Sequence, residues 1–179
     1  MNISWKEKTL YALLALAVLG LVVAYVLEFY YFKRTFGIKN MSMIAAGIGA
    51  ADGALLGWVL NRKARETVEG IQLYMFCIVL TALFAPLVAS LSNRLFSPHP
   101  VKMERVVFFE ERPYVSELYG IMKGEKIKPR GYFLFFMRGG KLERIDNRRP
   151  MTIPLQRGDT FELPVRKGLW GVEWVVAWP

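Results

Sequence analysis

The chain contains a run of nineteen residues, Thr9 to Leu27, that carries no charge and is rich in Leu, Ala and Val. At about 1.5 Å per residue, a helix of this length crosses the ~30 Å hydrocarbon core of a bilayer. The run is followed by Glu28, by aromatic residues and then by Lys33 and Arg34, with no small-residue cleavage site. We therefore predict a retained transmembrane helix over about residues 9–32, and not a cleaved signal peptide.

Two further apolar segments have the length of a membrane span. One covers about residues 41–60 and contains a single charge, Asp52, and the other covers about residues 71–92. Trp58 lies at the end of the second segment, where an amphipathic ring suits the headgroup level. The composition, 54% hydrophobic and only 22% charged, excludes a disordered chain. The sequence thus predicts an integral membrane protein with three transmembrane helices in residues 1–92.

The composition changes after Asn93. Eight of the nine prolines follow this residue, and fifteen of the twenty-four Lys and Arg residues lie from Val101 onward. We interpret residues 93–100 as a proline-rich connector, because prolines restrict both themselves and the preceding residue. Residues 101–179 form a second domain of a different kind.

Short β-branched and aromatic runs in residues 101–179 predict five or six strands. Gly139-Gly140 between two such runs is typical of a hairpin turn, because primed turns need positive φ. The sequence predicts a small all-β domain, an antiparallel barrel or sandwich. The segment from Val115 to Lys123 is expected to be a short helix or a loop. The runs are Val106 to Phe109, Gly131 to Arg138, Lys141 to Asp146, Met151 to Leu155, Thr160 to Val165 and Leu169 to Trp178.

The basic residues that flank the spans hardly favour either orientation. Five lie on the side of the N-terminus and six on the side of the C-terminal domain. Cytoplasmic loops carry an excess of Lys and Arg. The count slightly favours a cytoplasmic C-terminal domain.

Asp52 is the residue of greatest chemical interest, since it lies near the middle of the second span. Small residues recur every fourth position beside it and predict a smooth ridge for close helix packing. In one interpretation Asp52 is a proton or cation site. In the other, which we favour, it hydrogen-bonds helices together with Thr81, Cys77 or Tyr11 as donor, because no second ionisable group lies at a similar depth. The ridge residues are Ala45, Gly49, Gly53 and Gly57.

Signatures of enzymes and of cofactor sites are absent from the sequence. One cysteine and one histidine, His99, exclude a disulfide framework, a zinc cluster and paired haem ligands. The chain has no phosphate-binding loop of the GxxxxGK type. We therefore expect neither an enzyme nor a bound cofactor.

The C-terminal domain is basic, with fifteen basic and ten acidic residues from Val101 onward. This excess suits contact with anionic lipid headgroups or with an acidic protein. We expect Lys126, Lys128 and Arg130 to form the contact surface. Nucleic-acid binding is not expected, because Phe133, Leu134 and Met137 break the pattern of an RNA-recognition strand.

Together these features predict an accessory, assembly or scaffolding subunit of a membrane complex. Its partners would be membrane lipids and either other membrane-protein subunits or a second copy of the chain. One alternative is an oligomeric pore in which Asp52 lines a proton or cation path; three helices are too few to enclose such a path alone. A weaker alternative is a membrane-bound sensor whose β domain binds a ligand.

Overall fold

A computed structural model describes residues 5–62, 66–115 and 129–177. It contains three long helices, α1 (Trp5–Phe32), α2 (Ile38–Asn61) and α3 (Thr67–Leu95). All three are long and apolar enough to cross a membrane. The prediction of three apolar helices is thus confirmed, and these helices suggest a multi-pass membrane protein.

Five antiparallel strands follow the helices. They are β1 (Val101–Tyr114), β2 (Gly131–Arg138), β3 (Lys141–Asn147), β4 (Thr160–Lys167) and β5 (Glu173–Val175). The order across the sheet is β3-β2-β1-β4-β5, with β3 and β5 at its edges. Residues 101–107 of β1 pair with β4 and residues 107–114 pair with β2, and the pairing with β2 has an irregularity between Phe108 and Glu110. The sheet is curled into a half-barrel, which confirms the predicted small β domain.

The core of the half-barrel lies on its concave side. Side chains alternate along each strand, so every second residue of β2 and β4 points inward. Phe136 and Phe161 meet there edge to face, with ring centroids 6.3 Å apart. The buried cluster consists of Val106, Leu134, Phe136, Ile145, Phe161, Leu163, Val165 and Val175.

The predicted hairpin and the predicted strands are found with two differences. Gly139 and Gly140 have φ of 52° and 79°, as a primed turn requires. Residues 151–155 are not a strand; Pro150 and Pro154 lack backbone donors, and the Met151 N–H donates to the Glu111 Oε1 at 2.9 Å instead. The last strand is only three residues long. The helix or loop expected from Val115 to Lys123 lies outside the described residues beyond Val115.

The chain divides into two compact units. The first contains the three helices. The second contains the sheet and also four residues, Lys33–Phe36, that connect α1 to α2. The sequence-based boundary groups these four residues with the helices.

Candidate functional site

The small-residue ridge of α2 packs against α3 of the same chain. Ala45, Gly49, Gly53 and Gly57 are all buried. A Cβ atom added to Gly49 would lie 2.6 Å from the Ala85 Cβ, and one added to Gly53 would lie 2.7 Å from the Cys77 carbonyl oxygen. Backbone contact of this kind is what small residues permit in helix pairs. Since α3 occupies the ridge, this face of α2 is not open to a further helix.

Asp52 lies on such a face. It is the fifteenth of the 24 residues of α2, and its side chain is exposed. At about 100° per residue, Ile48, Leu55 and Val59 share this side of the helix. Their side chains are 59%, 63% and 53% exposed. The carboxyl group of Asp52 therefore stands alone in an apolar stripe near the middle of a candidate span.

Thr81, which was expected to pair with Asp52, is bonded within its own helix. Its hydroxyl donates to the Cys77 carbonyl oxygen at 2.7 Å, beside Gly53. Within the described part of the chain, Asp52 has neither a hydrogen bond nor an ion pair. The structure thus brings Thr81 to the ridge but does not join it to Asp52.

A buried polar cluster joins α1 to α3. The Glu28 carboxylate accepts a hydrogen bond from the Ser90 hydroxyl at 2.7 Å and forms an ion pair with Arg94 at 3.0 Å. The Arg94 guanidinium also stacks on Tyr31, 3.8 Å from the ring centroid. From the sequence alone, the position of Glu28 at the end of the first span, close to Lys33 and Arg34, predicts only a solvated or paired boundary residue. The sequence signal that could have found the cluster is that α1 and α3, separated by one intervening helix, run in the same direction, which brings Glu28 and Arg94 to the same end of the helices.

The connector Lys33–Phe36 hydrogen-bonds to both edges of the half-barrel. At one edge, the Phe36 N–H donates to the Glu173 carbonyl oxygen of β5 at 2.8 Å, and the Val175 N–H donates to that of Arg34 at 3.0 Å. At the other edge, the Asp146 N–H of β3 donates to the Lys33 carbonyl oxygen at 3.4 Å. The four residues therefore connect β3 and β5, the two edge strands of the sheet.

Side chains of the connector strengthen its attachment to β3. The Lys33 ammonium donates to the Asp146 Oδ2 at 2.6 Å, and the buried Arg34 donates to the Asn147 Oδ1 at 2.8 Å. The Tyr114 hydroxyl also donates to Asp146, at 2.9 Å. The hydrogen bond that Lys33 donates to Asp146 raises the pKa of Lys33, and burial together with the Asp146 carboxylate raises the pKa of Tyr114.

A second charged cluster lies where Phe36 meets the sheet. Arg138 donates two hydrogen bonds to Glu104, at 2.9 and 2.7 Å, and a third to Glu173. Its guanidinium lies 4.4 Å from the Phe36 ring centroid. Burial opposes the charge of Arg138, but the two carboxylates outweigh burial and raise its pKa. The cluster lines a cavity of about 410 Å³ at one end of the sheet.

The predicted basic contact surface is described only in part. Lys126 and Lys128 lie outside the described residues. Arg130 is exposed, and its N–H donates to the Tyr114 carbonyl oxygen at 2.9 Å, which continues the pairing of β1 with β2. In residues 5–62, 66–115 and 129–177, no three His, Cys, Asp or Glu side chains could together hold a metal ion.

Comparison of the chain with family models, with curated proteins and with solved structures finds no match.

Proposed function

We propose that the protein is a non-enzymatic accessory, assembly or scaffolding subunit of a membrane complex. The observation that carries the proposal is the exposed carboxyl group of Asp52 in the apolar stripe of α2. An ionisable side chain near the bilayer centre costs about 3 kcal/mol on insertion scales, and such residues usually face other helices or a wet cavity. Association with a partner helix removes this cost.

The partner follows from the chemistry of the stripe. Ile48, Leu55 and Val59 offer apolar packing to a second transmembrane helix, and Asp52 offers one strong hydrogen-bond acceptor between them. A suitable partner helix carries a basic or hydrogen-bond-donating side chain at a similar depth. The β domain adds a basic surface, with Arg130 at its described margin, for a protein partner at the membrane surface.

The experiment is native mass spectrometry of the tagged chain after gentle extraction from its own membrane. The wild type and Asp52→Asn, which retains hydrogen bonding, should both retain a heteromeric partner. Asp52→Leu should lose that partner, whereas the control Ile48→Leu should retain it. Retention of the partner by Asp52→Leu would refute the proposal.

The same measurement separates the proposal from an oligomeric pore. A pore requires a closed homo-oligomer, because three helices cannot enclose an aqueous path. In that case Asp52→Asn should still assemble but lose proton or cation flux in vesicles. If the chain forms a homo-oligomer and Asp52→Asn abolishes the flux, the accessory-subunit proposal is wrong and the protein conducts protons or cations.

We infer that the C-terminal domain faces the cytoplasm. This inference depends on the six basic residues on its side against five on the other. Labelling of an Ile153→Cys variant by an impermeant reagent in intact cells tests it, with Cys77→Ala as background. Labelling without permeabilisation would reverse the assignment.

A further inference from the structure

The turn between β4 and β5 carries two large apolar side chains on its surface. Trp170 is 62% exposed and Leu169 is 47% exposed, whereas Trp174, four residues later, is buried in the sheet. Gly171 has φ of 78°, and its N–H donates to the Gly168 carbonyl oxygen at 3.1 Å, so the turn is tight. Trp174 is thus part of the buried sheet, whereas the side chain of Trp170 lies on the surface of the domain.

Basic side chains lie beside this turn. Lys167 precedes it, and Lys102 lies on β1 at the position paired with Val165. Both lysines line the cavity of about 410 Å³. The two carboxylates of that cavity, Glu104 and Glu173, are already bound by Arg138. The lysines form no ion pair within the described part of the chain and are therefore the charges that remain for an anionic ligand.

The turn is also bonded to the segment that follows α3. The Ser97 hydroxyl donates to the Lys167 carbonyl oxygen at 2.7 Å, and the Arg166 guanidinium donates to the Ser97 carbonyl oxygen at 3.1 Å. Ser97 is the second residue after Leu95, where the third candidate span ends. Residues at the end of a span lie at the level of the lipid headgroups.

We propose that the Leu169–Trp170 turn is a contact site for the surface of an anionic bilayer. The indole of Trp170 and the side chain of Leu169 enter the headgroup region, where amphipathic aromatic rings are favoured. Lys102 and Lys167 bind the phosphate groups of the lipids at the mouth of the cavity. This site needs no other subunit and is independent of the role of Asp52.

Fluorescence quenching in vesicles tests the contact. The full chain with Cys77→Ala carries a bimane label at Trp170→Cys, or at Ile153→Cys as the matched control. Ile153 is 51% exposed and precedes β4, whereas Trp170 follows that strand. The vesicles contain one-third phosphatidylglycerol and two-thirds phosphatidylcholine brominated near the top of the acyl chains. Both variants should retain the melting temperature of the parent, because both side chains are exposed.

The label at position 170 should be quenched about threefold more strongly than the label at position 153. This difference should shrink in vesicles without phosphatidylglycerol, and also after Lys102→Glu with Lys167→Glu. Equal quenching at the two positions would overturn the proposal, and quenching independent of lipid charge would overturn the role of the lysines. If free phosphate at constant ionic strength abolishes the difference in quenching between positions 170 and 153, the cavity binds a soluble phosphate compound and not the lipid surface. Protection of position 170 only after addition of a protein partner would assign the turn to that protein.

Discussion

A single methyl group added to Gly53 tests whether the ridge of α2 holds α3. A Cβ atom at this position would lie 2.7 Å from both the Cys77 carbonyl oxygen and the Ile78 Cα. Ordinary contacts begin at 3.4 Å, so the helices must separate by roughly 0.7 Å or distort. Because both atoms belong to the backbone of α3, rotation of a side chain cannot relieve the contact.

The expected cost of Gly53→Ala is about 1–3 kcal/mol of the free energy of unfolding, as for other overpacked sites. Each 1.4 kcal/mol is about a tenfold change in the equilibrium constant. The matched control is Gly47→Ala on the same helix, where no described atom outside the adjoining backbone of α2 lies within 4 Å of the added Cβ. This control should be neutral or slightly stabilising, because Ala is the better helix former by up to ~1 kcal/mol.

The measurement is an SDS titration in detergent micelles, followed by amide hydrogen exchange of peptides from α2 and α3. Exchange resolves the helix pair separately from the sheet, so a change in the β domain does not obscure the result. Gly53→Ala should lower the SDS midpoint and increase exchange in both helices. Adding Thr81→Ala should not restore either value, although the Thr81 hydroxyl also contacts the added Cβ.

Two outcomes would refute this reasoning. Equal midpoints for Gly53→Ala and Gly47→Ala would show that α3 does not lie on the ridge. A loss that appears only in the assembled complex, with the isolated chain unchanged, would assign the ridge to another subunit instead of to α3.

Two further predictions concern the polar clusters. Arg94→Leu leaves the buried Glu28 carboxylate without its cation and should cost about 3 kcal/mol, measured as increased hydrogen exchange in α1. Adding Glu28→Leu should recover most of this loss; a double variant no better than Arg94→Leu would contradict the cluster. For the second, the pKa values of Lys33 and Tyr114 are raised above 10.5 and 10.0, so the folded state binds these protons more tightly. Stability of the sheet should therefore fall as the pH rises above about 10, and the combination of Lys33→Met with Tyr114→Phe should flatten this dependence in alkaline denaturation followed by circular dichroism.

The three helices and the glycine hairpin could be predicted because their signals are local. A charge-free run such as Thr9 to Leu27 requires only its own length and composition. Gly139 and Gly140 need only their own positive φ. In these segments propensity and pattern agree with the final structure, which is the condition for reliable sequence-based inference.

The ridge could be predicted from spacing, but its partner could not. Four small residues at intervals of four accept any helix that approaches closely, from the same chain or from another. The short connection between Asn61 and Thr67 is the additional signal, since short connections join antiparallel neighbours. In the structure the ridge packs against this neighbour, α3. Asp52 lies on an exposed face of α2, which could not be predicted from the ridge pattern alone.

The connector Lys33–Phe36 could not be predicted as part of the sheet. Four residues show no strand periodicity, and the side-chain bonds from Lys33 and Arg34 reach residues 113 positions later in the chain. The need for such a segment is physical, because exposed edge strands offer unpaired backbone groups to other chains. In this protein the covering segment precedes α2 and α3 in sequence, whereas β3 and β5 follow them. Closure of the half-barrel therefore depends on contacts of large sequence separation, which are slow to form. It must also follow the synthesis of all three helices, because α2 and α3 lie between these four residues and the strands in the sequence.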